Sequence, residues 1–519
     1  MNTYNIIAIG GTGMRCAESF VHLCAMGMFD NTEINLLALD TDYENGNFKR
    51  LKMLVDNYNR ITADREGVAE NTLFSAKINY FTFSPTYTSG MCYDDVARYS
   101  EAQSTSHDDD GVKWQESDLV DLFLTPEMRK MDLQHGYRAQ TQMGSMLMYY
   151  AIKEEALNKK HIGSDLTRFV EQLMSTPGSI VFMFGSVFGG TGASSIPILP
   201  HALQEAAKII SKDGQGDLLS KNYFGTVMLT NYFSFDSPNV KDAVYATSDK
   251  FALNSQAALS FYNEDETVKS TYKRLYLIGR DTPRNVSQKN TASVTGGDAQ
   301  CNPVDYIELA AASAAYDFFQ WTKEHLVDSK VTNKEVETAK IFYRTISSDE
   351  DSCLSFESFF GTDKDKFAQR CGIMMASAFL FGPQDFASNR RNHSSFSALT
   401  EANVKDIRDF FRYFYDLEKE PSCGWIKQMQ ESANALGYSG FLFNNAAFST
   451  SPNSAKKFKY SEQLYPAKSA FGYDTSLLSG AYDTFKKEFG DMVFTDSDKT
   501  AVSALLKRTF DTFTKLYGF

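Results

Sequence analysis

The sequence predicts an α/β protein on a doubly wound, mostly parallel sheet, and three stretches carry that prediction. Tyr4–Ile9 and Ser179–Gly185 are short apolar runs that empty into glycine-rich turns, Gly10-Gly11-Thr12-Gly13 and Gly189-Gly190-Thr191-Gly192. Ile34–Leu39 is a third such run and ends in Asp40-Thr41-Asp42. Apolar runs bounded by turn clusters are how strands buried on both faces read, and strands alternating with helical periods give a parallel sheet. Around this core the sequence predicts a long central helix, a smaller second α/β domain and a helical C-terminal region.

Bulk properties bound the class. At 519 residues the length suggests roughly two to four domains. Apolar content of 43% and charged content of 23% are those of a globular chain. A net charge of −13 with a pI near 5.2 argues against a duplex-binding surface, which needs clustered Lys and Arg, so no nucleic-acid partner is expected. The seven cysteines are scattered without a CxxC pair, which predicts reduced thiols and neither a disulfide frame nor a metal site. No basic flank and long apolar segment open the chain, so no signal peptide is expected. The apolar patch at Ile373–Phe381 is too short to span a bilayer. A soluble, cytoplasmic protein is the expectation.

In chain order, Gly10–Gly13 opens a helix from Met14 to about Met26, with Cys16, Phe20, Val21 and Cys24 at helical spacing. Residues 43–130 read as a polar insertion whose acidic tip, Asp108-Asp109-Asp110, is a solvated loop. A Met-rich helix follows over Gln142–Leu157, its stripe facing the core. After the second glycine turn a helix runs to about Ile210, with Pro197 in its first turn. Tyr223–Leu229 and Arg274–Ile278 are further strands, separated by a helix over Val240–Tyr262. Asn302-Pro303 opens the long apolar-faced helix, Val304 to about His325. Domain limits follow: 1–300 for nucleotide binding, 301–330 for the central helix, 331–395 for the second domain and 396–519 for the helical tail.

Glycine turns entering helices suit phosphate, because a helix N-terminus carries unpaired N–H donors and about half a positive charge. No G-x-x-x-x-G-K-[ST] occurs, which excludes a P-loop. A dinucleotide fold wants G-x-G-x-x-G/A and an acid after the second strand; Gly11-Thr12-Gly13-Met14-Arg15-Cys16 has two of the three small positions and Asp40 the acid. One glycine turn serves a dinucleotide pyrophosphate, so a second favours a nucleoside triphosphate. In an acidic protein its charge calls for backbone amides, helix dipoles and Mg²⁺. Arg138 is either an additional cation there or a surface arginine.

Taken in order, these motifs resemble the tubulin/FtsZ superfamily, in particular its divergent prokaryotic members, over residues 4–382. Gly189-Gly190-Thr191-Gly192-Ala193-Ser194 is similar to the family's GGGTGTG signature, with Phe188 and Ser194 replacing its first and last glycines. Gly10, Gly11, Thr12 and Gly13 resemble its first phosphate loop, and Asp40-Thr41-Asp42 its second. His135–Gly144, with Arg138, stands where the family senses the γ-phosphate. Leu229–Asp236 resembles the ribose-contacting loop, which implies Asp236 as its acid and Lys241 as the following cation. The resemblance implies GTP or GDP, and Asn302 and Tyr306 as base contacts, although the strand end Gly279-Arg280-Asp281 lacks the family's asparagine. It also implies head-to-tail self-assembly into filaments or oligomers, the next subunit completing hydrolysis. Ser355 and Ser358 stand where the family has two aspartates, leaving Glu357 and Asp351 as candidate catalytic acids, so hydrolysis is expected to be slow or absent. Two other readings stay open: a nucleotide-sensing switch that signals to a protein partner through the C-terminal helices, and a Rossmann-type oxidoreductase using NAD.

Overall fold

A computed structural model gives the fold. It describes residues 1–42, 44–65, 67–85, 87–88, 90–96, 123–134, 136–158, 161–176, 178–211, 216–235, 247–280, 282–286, 300, 302–327, 340–346, 357–381, 399–414, 424–434, 487–488 and 502–517. Its frame is a seven-stranded sheet. The strands are β1 (Asn2–Ile9), β2 (Thr32–Leu39), β3 (Lys77–Phe83), β4 (Ile180–Ser186), β5 (Tyr223–Leu229), β7 (Tyr272–Arg280) and β9 (Lys340–Ile346). They lie in the order β3-β2-β1-β4-β5-β7-β9 with every pairing parallel. Two short strands, β6 (Phe233–Ser234) and β8 (Arg284–Asn285), pair separately.

Parallel strands need crossovers, and helices supply them on both faces. On one face lie α1 (Gly10–Ala25), α2 (Gly46–Ile61) and α9 (Tyr306–Thr322), whose apolar sides share a buried cluster with Ile6, Leu36, Phe182 and Val227 of the sheet. On the other lie α3 (Thr141–Leu157), α4 (Asp165–Ser175) and α6 (Leu199–Ile210), which cover Ile7, Leu37, Val181 and Met183. Met143 and Met148 of α3 are fully buried there, as the methionine stripe predicts. An amide ladder crosses three strands: Asn79 donates to Asn35, Asn35 to Asn5, and Asn5 to the Ile180 carbonyl.

Four expectations need correction. Residues 43–130 are not merely an insertion, because they hold α2 and the edge strand β3. The helix after the second glycine turn is broken into α5 (Gly190–Ser195) and α6, since Pro197 and Pro200 remove two N–H donors in succession. Gly372–Ala376, which reads as a strand in the sequence because it is a short apolar run, is the middle of a helix, α10 (Lys364–Phe381), that packs on α11 (Glu401–Phe414) and α13 (Val502–Tyr517). Among the described residues, 331–395 makes no sheet of its own: β9 joins the main sheet.

The described helices of the tail pack into the main core. Trp425, Ile426 and Met429 of α12 (Trp425–Asn434), with Leu505 and Leu506 of α13, sit in the same buried cluster as β1 and α9. The sequence reads as a further helix over Ser476–Phe489, of which only 487–488 are described, and Asp108-Asp109-Asp110 lies outside the described residues. Among the described residues no helix is long and apolar enough to cross a membrane.

Candidate functional site

In an open α/β sheet the ligand crevice forms outside the carboxyl ends of the strands, where the strand order reverses. Here that point lies between β1 and β4, paired from Tyr4↔Ile180 to Ala8↔Phe184. Both glycine turns begin there. Gly10 holds φ +67°, which favours glycine, and a Cβ on it would lie 3.3 Å from the Thr191 Cβ, so the turns touch. Gly13 lets α1 approach the sheet: a Cβ there would come within 2.6 Å of the Phe184 carbonyl oxygen and 3.0 Å of the Ala8 backbone. Neither α1 nor α5 has a side-chain N-cap, whereas α2, α4 and α9 are capped by Asn45, Ser164 and Asp305. The first-turn N–H groups of α1 therefore have no side-chain cap among the described residues.

Two further loops close on the same point. Thr41 Oγ1 lies 3.4 Å from Thr191 Oγ1, and a Cβ on Gly136 would stand 3.0 Å from Thr41 Oγ1. The segment 136–139 rests on Gly190, where a Cβ would meet the Ala139 nitrogen at 2.8 Å and the Arg138 nitrogen at 3.2 Å. Arg138 and Ala139 both take positive φ, 44° and 64°, a strained state for residues with a Cβ that tends to gather at functional loops. Ser194 Oγ donates to the Thr191 carbonyl, the Ala193 carbonyl accepts from the Tyr262 hydroxyl, and Ser145 Oγ donates to the Ser194 carbonyl, which fixes α5 in place.

The electrostatic centre of the cluster is Asp40. It is buried, with Asp42 buried beside it. Its Oδ1 accepts the Thr41 amide at 2.8 Å, while Oδ2 has no hydrogen-bond partner. Burial, then the neighbouring Asp42 charge, push its pKa up to about 7, against the pull of the Asp42 and Thr41 amides and the Thr191 hydroxyl. An orphaned buried carboxylate oxygen, with the Thr191 hydroxyl beside the same carboxylate and the Thr41 hydroxyl 3.4 Å from it, is a donor set suited to a hard cation such as Mg²⁺. Among the described residues no group of three or more His, Cys, Asp and Glu gathers to hold a metal by itself, so such an ion would need a ligand's oxygens as well.

The chain matches no protein-family model and no curated protein. Its site is read from its own geometry.

The structure thus brings together Gly10, Gly11, Thr12, Gly13, Asp40, Thr41, Asp42, Arg138, Gly189, Gly190, Thr191, Gly192, Ala193 and Ser194. Asn302 approaches from the side: its Oδ1 accepts from Asn47 Nδ2, and Asn47 borders Gly11. Tyr306 is different. It is 1% exposed at the start of α9, and its backbone N–H donates to Ser432 Oγ of α12. Glu357 opens a helical turn, Glu357–Phe360, whose Phe360 packs on Tyr316, well along α9 from the glycine turns. Asp236, Lys241, Asp351 and Ser355 lie outside the described residues.

Sequence reading missed two groups. One is the amide set Asn45, Asn47 and Gln300 beside Gly11; Asn45 directly before an amphipathic stretch was a legible cap signal. The other is a buried charge relay. Arg15 of α1 donates to Glu308 at 2.5 Å and to the Tyr232 hydroxyl, and reaches Thr12 Oγ1 at 3.4 Å. Glu308 also completes a capping box with Asp305, and Asp305 holds Arg280 at 2.8 Å. Thus the first glycine turn is wired to the start of α9.

Proposed function

We propose that the chain binds a nucleoside triphosphate, GTP, with Mg²⁺ across the two glycine turns. The bound nucleotide joins copies of the chain head to tail, with slow or absent hydrolysis. The observation that carries this reading is the pair of glycine turns touching at the β1/β4 switch point, with the buried Asp40 carboxylate, one oxygen orphaned, beside Thr191. Uncapped N–H groups at Gly11–Gly13 and around Gly190–Gly192 would hold phosphate oxygens from two sides. Asp40 with Thr41 and Thr191 would hold Mg²⁺, which neutralises phosphate charge when bound. Asp42 adds negative charge and makes a cation obligatory.

Head-to-tail contacts of this kind are heterologous and give filaments unless rotation closes a ring. Light scattering and negative-stain microscopy with GTP, with ATP and without nucleotide, alongside phosphate release, test the reading. Filaments that need GTP while little phosphate is released are expected; absence of triphosphate binding by calorimetry overturns it. A second reading, a switch that signals through the C-terminal helices, draws support from α12. Gln428 and Ser432 accept the Val304 and Tyr306 N–H groups at the start of α9, and Trp425 bonds Ser19 of α1. Tight GTP binding without any assembly favours that reading. A dinucleotide fold shares the switch point, but the second glycine turn has no task in it.

A further inference from the structure

The buried relay under the first glycine turn uses only part of the Arg15 guanidinium. Nε donates to Glu308 Oε1 at 2.5 Å, and Nη2 donates to the Tyr232 hydroxyl and, at 3.4 Å, to Thr12 Oγ1. Nη1 makes no hydrogen bond among the described residues, which leaves its two N–H donors over on a side chain only 2% exposed. The directions of these bonds are forced, because a guanidinium only donates. The Tyr232 oxygen accepts from Arg15, and its one proton goes to Glu308 Oε1, 2.9 Å away. Thr12 Oγ1 likewise accepts, and its proton has no acceptor among the described residues. Residues 12 and 15 stand three apart on α1 and share a face of that helix. That face therefore offers unmet donors, the Thr12 hydroxyl and Nη1, beside the uncapped N–H groups of the first turn. Glu308 meets the guanidinium from α9, so the ion pair is a dipole with its positive end toward the glycine turn. The rings around it lead to the second turn: Arg15 lies 5.4 Å from the centre of Phe233, and Tyr232 and Phe233 pack on Phe188, next to Gly189. An ion pair serving stability alone has no use for leftover donors, since an unmet buried donor is costly.

We propose that Arg15 is a fixed cation of the phosphate site, its Nη1 and the Thr12 hydroxyl donating together to a phosphate oxygen of the bound triphosphate. This rests on the triphosphate reading above. A phosphate oxygen is an acceptor only, and a guanidinium is the side chain best matched to it in charge and geometry. Glu308 and Tyr232 hold Nε and Nη2, so the guanidinium is already oriented before a ligand arrives. The charge behind Thr12 also makes its hydroxyl a stronger donor than one acting alone. In a chain of net charge −13, Arg15 thus supplies the phosphates with a positive charge that the glycine turns themselves lack.

Removing the ion pair as a unit tests this without stranding a charge. Arg15→Met/Glu308→Met replaces both partners by apolar side chains and leaves the net charge unchanged, and Thr12→Val removes the hydroxyl at nearly constant shape. Calorimetry with GTP and with inorganic triphosphate, each with Mg²⁺, and the ³¹P spectrum of bound GTP read the result. The double variant should bind both ligands about tenfold or more weakly, with the melting temperature held, and a ³¹P resonance of bound GTP should move. Thr12→Val should lose about threefold to tenfold on both ligands and move the same resonance, and Thr12→Ser, which restores the hydroxyl, should recover most of the loss. Should the double variant fail to fold, the two Thr12 variants decide. Where the wild type binds GTP but not inorganic triphosphate, the ³¹P spectrum decides. Unchanged affinities overturn the proposal. So does a loss confined to GTP while inorganic triphosphate binds as before, because the guanidinium then acts through the nucleoside. So does an unmoved ³¹P spectrum in variants that bind more weakly, the mark of a pair that only supports the fold. Each of these outcomes leaves the triphosphate reading standing; a wild type that binds neither GTP nor inorganic triphosphate overturns both.

Discussion

Asp40 sits buried with one oxygen unpartnered and a second carboxylate next to it, a combination that costs stability unless a cation relieves it. Asp40→Asn should therefore raise the unfolding free energy by about 1–2 kcal/mol in metal-free buffer, while removing the Mg²⁺-dependent part of triphosphate affinity. Denaturation and calorimetry on the same preparation check both halves. His22 makes the opposite kind of statement. It is fully buried on α1 with neither ring nitrogen hydrogen-bonded, packed on Trp425, Tyr413, Phe410 and Phe414, and faces the Arg50 charge. Burial, and then Arg50, hold its pKa well below the ordinary value, so the folded protein keeps it neutral. Only the unfolded chain takes up that proton below about pH 6.5, so stability is full above that pH and falls by at most about 1.4 kcal/mol per unit below it. His22→Leu should flatten this part of the acid limb in urea titrations at about pH 5 to 7.

At the scale of elements, α1 is held by contacts at two ends of its first turns. Gly13→Ala would drive a Cβ into the Phe184 carbonyl at 2.6 Å and lift the helix from β1 and β4. A loss of about 1–3 kcal/mol is expected, together with a larger loss of nucleotide binding than the stability change explains. Breaking the Arg15–Glu308 pair with Glu308→Gln leaves a buried guanidinium short of its charge partner and should cost about 3–5 kcal/mol. The Arg15→Met/Glu308→Met double variant should recover much of that, which a double-mutant cycle measures. The β1–α1 and β4–α5 units were legible because apolar runs, glycine turns and helical spacing agree there. Gly372–Ala376 was misread for a physical reason: Ile373 and Met374 are buried in a helix that packs on α11 and α13, and so short an apolar run has no period to separate strand from helix. The amide chain was invisible for another reason. Its members, Asn45 and Asn47 against Gln300 and Asn302, are about 255 residues apart and meet only through topology.

For the whole molecule, the predicted frontier between nucleotide domain and tail dissolves. Trp425 and Met429 are buried in one cluster with Ile6 and Leu309, and α12 satisfies two N–H groups at the start of α9. Truncation after residue 400 would expose that surface and should give an aggregating or molten product in place of a folded nucleotide-binding fragment; near-UV circular dichroism and size exclusion check it. The sheet order, and with it the switch point, was not legible from the sequence, since β3 hides in a polar stretch and β9 follows the long helix; the two glycine turns that meet there were.

The placement of β1 has a temporal consequence. Its residues emerge well before those of β4, so one flank waits for that strand, whose partner positions begin at Ile180. Until that strand leaves the ribosome, β1 is an open edge beside β2, and pairings so distant in sequence are slow to form and prone to association. The two glycine turns meet only after this closure, so nucleotide binding, on the function proposed above, becomes a late reporter of folding, usable to time maturation of the nascent chain.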